Sequence, residues 1–260
     1  MALFGKLFEK KVCSICGGEI GLLGNRKLED GNMCKNCAAK LSPWFSDRRS
    51  STVEEIKAQL DYREANKEAV AAFNVTRSLG DSPRLLLDED ARKFTVTAAR
   101  NLTEANPDIL DFSQVTGCDL DIDESRSEAH FRDREGKMIS YTPPRYTYSY
   151  DFNVTIRVNH PYFDTMKLKL NPSRLTINPD DPQPMTRKPS ARMNREYRDY
   201  EDMGNEIKNL LTKVQRQVRN EAREAAAPKA AVICPYCGAT TTPDAAGNCE
   251  YCGAFIGGRK

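Results

Sequence analysis

The chain has 260 residues, 39% of them hydrophobic and 29% charged, a mean hydropathy of −0.63 and a formal net charge of +2. Such a composition builds one moderate apolar core with small appendages, and no uncharged apolar run approaches the roughly 20 residues of a membrane-spanning helix. Nine cysteines against two histidines direct the search for chemistry to thiolates.

The first residues, MALFGKLFEKK, mix charge with apolar side chains and lack a continuous apolar stretch before a small-residue cleavage site, so a secretory signal is not expected. Leu3, Phe4, Leu7 and Phe8 form one short apolar face, expected to pack on the segment that follows, with weak contact to a membrane surface as the alternative.

Cys13, Cys16, Cys34 and Cys37 then stand as C-x-x-C, seventeen residues, C-x-x-C. Two residues between cysteines let both thiolates of a tight turn point at one ion, and two such turns supply a closed tetrahedral set. Disulfides would need an oxidising compartment, and a redox C-x-x-C would stand alone beside a βαβ pattern. A catalytic zinc keeps an open position, so four cysteines predict a structural site. NRKLEDGNM between the pairs reads as a hairpin around Asp30-Gly31, and Ala38 to Leu41 as the start of a short helix that Pro43 stops.

A knuckle, a hairpin and a knuckle opening a helix resembles the treble-clef pattern. The cysteine spacing also resembles GATA-type DNA-binding fingers, which would make Arg26, Lys27, Lys35, Arg48 and Arg49 nucleic-acid contacts; the following SDRRSSTVEE turns acidic where those fingers carry a basic tail. Residues 1–50 further resemble the N-terminal zinc finger of a bacterial family known only as a domain of unknown function.

Thr52 and Glu55 form a capping box, and Val53, Ile56, Leu60, Ala69 and Phe73 follow at helical spacing, which predicts a connecting helix over 51–80 stopped by Gly80 and Pro83. From residue 84 the period changes to two. RLLLDEDARKFTV reads as strand, turn and strand, and TGCDLDIDES alternates Cys118, Leu120 and Ile122 with Asp119, Asp121 and Asp123. Those aspartates read as a solvated strand face; a calcium loop would need glycine where Glu124 stands and glutamate where His130 stands. YTYSYDFNVTIRV sets Tyr146, Tyr148, Tyr150, Phe152, Val154, Ile156 and Val158 on one face of a long half-buried strand, and TMKLKL completes a hairpin with it. The segments 124–144 and 179–191 read as long loops, the second holding Pro179, Pro182, Pro184 and Pro189. An amphipathic helix over 192–226 follows, with Met193, Tyr197, Tyr200, Met203, Ile207, Leu210, Leu211, Val214 and Val218 in its stripe. Its first half can cover a sheet; its tail offers a route to self-association.

Strands closed by one helix, together with DILDFSQVTGCDLD, resemble the bacterial pleckstrin-homology-like domains, and that resemblance implies a small barrel plugged by the helix. Cys234, Cys237, Cys249 and Cys252 finish the chain as C-x-x-C, eleven residues, C-x-x-C. The knuckles CPYCG and CEYCGAF resemble those of bacterial zinc ribbons, with Tyr236, Tyr251, Phe255 and Ile256 as the only core beside an ion. Each four-thiolate zinc site carries −2, so two of them bring the net charge to about −2 and remove any argument from overall basicity.

No phosphate-binding loop, dinucleotide fingerprint, zinc-protease or serine-hydrolase motif occurs, and Cys118 sits on an apolar strand face. These readings predict an α+β multidomain protein, soluble and cytoplasmic, of bacterial type, binding two structural Zn(II) ions. Its expected parts are a treble-clef-like finger (1–50), a connecting helix (51–80), an antiparallel bent sheet or PH-like barrel capped by a long helix (81–215), a helical linker (216–231) and a zinc ribbon (232–260). The expected function is that of a non-enzymatic adaptor with a protein partner and with no catalytic or cofactor-binding residue; a nucleic-acid binder and a peripheral membrane-surface protein are the alternatives.

Overall fold

The computed structural model describes residues 11–226, 231–244 and 246–256, so the apolar face expected at Leu3, Phe4, Leu7 and Phe8 lies outside the described residues. The chain divides into two units, Met1–Gln215 and Arg216–Lys260.

The first unit begins with two short hairpins. β1 (Lys11–Val12) pairs with β2 (Glu19–Ile20), and β3 (Arg26–Lys27) with β4 (Asn32–Met33). Helix α1 occupies Lys35–Ala38, earlier than the expected Ala38 start, because Cys34 is its N-cap and the Cys34 sulfur accepts the Cys37 N–H. α2 (Val53–Ala72) opens with the capping box: Thr52 Oγ1 accepts the Glu55 N–H, and Glu55 Oε2 accepts the Thr52 N–H at 2.8 Å. Asp30 of the hairpin accepts the Val53 N–H at 2.7 Å. Leu28, Met33 and Ile56 are fully buried together, with Val53 and Leu60 packed against them. The first turns of α2 therefore complete the finger's core, and the boundary expected at residue 50 cuts through it.

α2 stops at Ala72 rather than near residue 79. Phe73 is already extended, and Arg77–Gly80 form strand β5. Asp88 accepts the Asn74 N–H at 2.9 Å and Leu87 O the Thr76 N–H at 2.8 Å, so sheet pairing captures backbone that periodicity alone assigns to the helix. β5 joins β6 (Arg84–Asp88), β7 (Lys93–Thr97) and, after the single-turn helix α3 (Leu102–Ala105), β8 (Leu110–Asp111) in a four-stranded antiparallel sheet.

The second sheet is organised by β12. β9 (Val115–Glu128) runs into a two-stranded tip of β10 (His130–Arg132) and β11 (Met138–Ser140), and β12 (Arg145–Val158) returns alongside β9 from Tyr146↔Glu128 to Val158↔Val115. The supposed loop at 124–144 is thus largely strand. Its alternation is hidden because Glu124, Arg126, Ser127 and Glu128 extend the pairing beyond the core, where nothing demands apolar residues. The other edge of β12 meets β13 (Thr165–Lys169), β14 (Leu175–Ile177) and β15 (Gln183–Pro184) in turn. Tyr148, Tyr150, Phe152, Val154, Ile156 and Val158 are buried, which makes Tyr148 and Tyr150 core residues.

Both sheets and the first half of α4 (Arg195–Ala226) share one core, with Leu85, Leu87, Phe94 and Leu110 on one side, the β12 residues on the other, and Tyr197, Ile207 and Leu211 of the helix. No closed barrel is found among the described residues; the expected barrel is replaced by two open sheets. Pro172, Pro179, Pro182 and Pro184 interrupt the edge, leaving β14 and β15 three and two residues long and too short to carry pairing across to the first sheet.

α4 rises about 48 Å over its 32 residues. Tyr197 sets its ring edge-on to Tyr150 and Phe152, each at 5.0 Å. Met193, expected in the stripe, precedes the helix in a short 3-10 turn and is exposed. Gly204 is buried where the helix meets β9, and a Cβ there would stand 2.5 Å from Leu120 Cδ1. Gly204→Leu should therefore destabilise the first unit by about 1–3 kcal/mol in urea titration, although leucine is the better helix former. An unchanged midpoint would mean that the close approach of helix and sheet is not needed.

Candidate metal centres

Each expected cysteine set is brought together. The four sulfurs of Cys13, Cys16, Cys34 and Cys37 lie within 4.8 Å of one another, and so do those of Cys234, Cys237, Cys249 and Cys252. Cys13 and Cys37 are 3.9 Å apart and Cys16 and Cys34 3.8 Å; in the second set Cys234 and Cys252 are 3.6 Å apart and Cys237 and Cys249 3.7 Å. A tetrahedron with Zn–S near 2.3 Å has edges of about 3.8 Å, so both sets fit a zinc ion and all eight cysteines are far from disulfide distance. The two groups have the geometry of two structural zinc sites.

The local backbone explains this convergence. The Gly17 N–H bonds Cys13 O at 2.8 Å and the Cys13 N–H bonds Gly18 O at 2.9 Å, closing a knuckle in which Gly17 takes φ +72°. The ribbon repeats the turn twice. Gly238 (φ +70°) bonds back to Cys234 O at 2.9 Å and Gly253 (φ +70°) to Cys249 O at 2.8 Å. Only glycine adopts that backbone region without cost, which accounts for the residue after Cys16, Cys237 and Cys252. The fourth knuckle is the start of α1.

Without a cation the charges compete. Burial disfavours the Cys13 thiolate, yet backbone N–H donors from Cys16, Cys34 and Ile15 bring its pKa down to about 6. Cys37 is pushed up, by burial first and then by its three cysteine neighbours. In the ribbon Cys234 falls to about 7 through the N–H groups of Cys237 and Tyr236, against its burial. Cys252 is driven up to about 12 by burial and the adjoining cysteines although the Ala254 N–H favours its thiolate. A divalent cation at the centre of either set would favour the thiolate form of its cysteines. Cys118 lies in neither set, and burial pushes its thiol up to about 12, as its place on the apolar face of β9 implies.

The ribbon, built on β16 (Val232–Ile233) and β17 (Thr240–Thr241), departs from expectation in its interior. Tyr236, Tyr251 and Phe255 are 73%, 72% and 66% exposed, whereas Cys234, Cys249 and Thr241 are buried. Tyr236, Tyr251 and Phe255, expected as core, face solvent in this unit, and its described residues form almost no apolar interior apart from the thiolates.

Sequence reasoning missed a buried polar junction in the first unit. Asp108, fully buried, accepts Arg63 Nη1 at 2.8 Å, Ser42 Oγ at 2.8 Å and Tyr62 OH at 3.3 Å. Arg63 Nε also donates to Lys40 O at 3.2 Å, and Asn66 Nδ2 to Pro107 O at 2.8 Å. These bonds tie the finger (Lys40, Ser42) and α2 to the turn before β8. The available signal was weak: Asn-Pro-Asp at 106–108 marks a turn, and Arg63 and Asn66 interrupt the apolar spacing of α2.

Of the proposed nucleic-acid contacts, the structure brings Arg26, Arg48 and Arg49 near one another beside Lys27. Arg48 donates to Lys27 O at 2.6 Å, and its pKa is lowered by burial and then by Arg26 and Arg49. Lys35 is the first residue of α1. No helix among the described residues is long and apolar enough to cross a membrane.

Residues 11–59 match the family described as a domain of unknown function, DUF4428. The DUF4428 region covers the four N-terminal cysteines and ends within α2, past the buried Ile56, so it takes in the helix turns that complete the finger's core. Comparison with curated proteins and with solved structures finds no match to this chain.

Proposed function

We propose that the protein is a non-enzymatic interaction scaffold of the cytoplasm, in which two zinc-stapled modules and a PH-like body present binding surfaces to a protein partner. The observation that carries this reading is the buried Arg63–Asp108 junction. It makes finger and body one surface instead of two tethered modules, and a composite surface is what a docking protein needs. The PH-like assignment rests on the order of strands followed by α4. Two closed four-cysteine sets are unsuited to turnover. His130 is exposed on β10, opposite Ser140 of β11, and His160 Nδ1 accepts the Tyr162 N–H at 3.3 Å. The test is affinity capture with the full chain as bait, followed by reconstitution of the captured protein in purified form. A stoichiometric complex is expected. A turnover abolished by a single non-cysteine substitution would overturn the reading.

The cluster of Arg26, Lys27, Arg48 and Arg49 favours nucleic-acid binding as a second reading. If it holds, labelled duplex or single strands bind at low salt, binding weakens steeply as salt rises, and Arg48→Ala with Arg49→Ala reduces the salt slope by about 2. Absence of binding at low salt ends it.

A further inference from the structure

Between the finger and the turn joining β12 to β13 lies a cleft of about 610 Å³, lined among others by Trp44, Phe45, Asp47, Glu55, Tyr162 and Asp164. Its rings are held from behind. Trp44 packs against the core shared by the sheets and Phe45 against that of the finger, and each remains partly open to solvent. Tyr162 is braced by Tyr62 at 5.4 Å and His160 at 5.8 Å, while Phe163 stacks on His160 at 4.1 Å. Burial lowers the pKa of His160, opposed by the charge of Asp108.

The polar part of the lining has one sign. Asp47, Glu55 and Asp164 are exposed, and no lysine or arginine joins them in the lining. Asp47 accepts the Ser46 hydroxyl at 3.0 Å and Glu55 the Thr52 N–H at 2.8 Å, but none of the three carboxylates forms an ion pair among the described residues. Aromatic faces beside carboxylates that lack a counter-charge are the chemistry that recognises an organic cation. The volume falls within the usual range of ligand sites. A phosphate chain would meet three negative charges here, whereas the neighbouring cluster of Arg26, Lys27, Arg48 and Arg49 is basic.

We propose that this cleft docks a basic peptide segment of the protein partner, seating a lysine or arginine side chain among the rings and against Asp47, Glu55 and Asp164. The inference rests on the protein-partner reading above. It places recognition at the seam of finger and body, where neither module alone supplies the whole lining.

Trp44 is the only tryptophan, so its emission reports from the cleft of the intact chain. The probes are short synthetic peptides identical except for lysine, glutamate or serine at the same positions. The lysine peptide is expected to shift Trp44 emission saturably and to bind more weakly as salt rises, while the glutamate and serine peptides leave the emission unchanged. The double variant Asp47→Asn, Asp164→Asn, isosteric and at exposed positions, should keep its metal content and bind the lysine peptide about tenfold more weakly. No saturable shift with the lysine peptide, an equal shift with the glutamate peptide, a shift with a single-stranded oligonucleotide, or undiminished binding by the double variant overturns the proposal. A captured partner that stays bound to the double variant defeats the cleft and leaves the scaffold reading standing; lysine-peptide binding without any reconstituted complex does the reverse.

Discussion

Chelation of zinc is expected to unfold residues 231–256 outright, because that module buries little except Cys234, Cys249 and Thr241 and exposes its aromatic residues. Structural zinc in small modules contributes on the order of 10 kcal/mol or more, and nothing else there can replace it. Single substitutions separate the two sites. Cys234→Ser should remove one of two bound zinc ions and open the ribbon to protease, leaving the urea midpoint of the first unit unchanged. Cys13→Ser should also remove one ion but lower that midpoint, since Cys13 and Cys37 share their core with Ile56 and α2 leads directly to the Arg63–Asp108 junction. Elemental analysis combined with urea titration reads both outcomes. Full metal content in either variant, or cysteines recovered as disulfides from the reduced cytosol of an expression host, would contradict the assignment.

Asp108→Ala is expected to cost about 3–5 kcal/mol, because it leaves the Arg63 guanidinium buried without its partner and strips Ser42 and Tyr62 of their acceptor. The double variant Arg63→Met, Asp108→Leu should recover much of that loss, since a buried pair replaced by apolar side chains of similar volume is often tolerated. The pattern distinguishes a buried charge from mere packing: a single-variant cost below about 1 kcal/mol in urea unfolding would mean that the pair is solvated and that the junction does not fix the finger.

The metal sets were legible because their chemistry is written in spacing. Two residues between cysteines and a glycine after the second are local requirements of one turn, and Gly17, Gly238 and Gly253 meet them at positive φ. The strand face of β12 was legible for a similar reason, since a side buried along its whole length forces strict alternation. Other features depend on partners distant in sequence. Whether Phe73 to Gly80 continue a helix or join a sheet is decided by Asp88 and Leu87, which supply the acceptors. Barrel closure failed through prolines on an edge whose neighbour the pattern does not reveal. The junction was hidden because a buried arginine reads as a surface residue until its aspartate, 45 positions away, is known to stand opposite. The cleft was hidden likewise: Trp44 and Tyr162 look like two unrelated loop aromatics, and only the docking of finger on body sets them around one cavity.

The long β9–β12 hairpin also has a practical use. Beyond residue 124 its pairing continues outside the shared core and ends in the turn at Asp133 to Gly136, where Gly136 has φ +83° and open space around it. Every buried residue of β12 from Tyr148 onward lies away from that end. An affinity handle or fluorophore inserted there would label the first unit at an exposed turn, away from the buried face of β12.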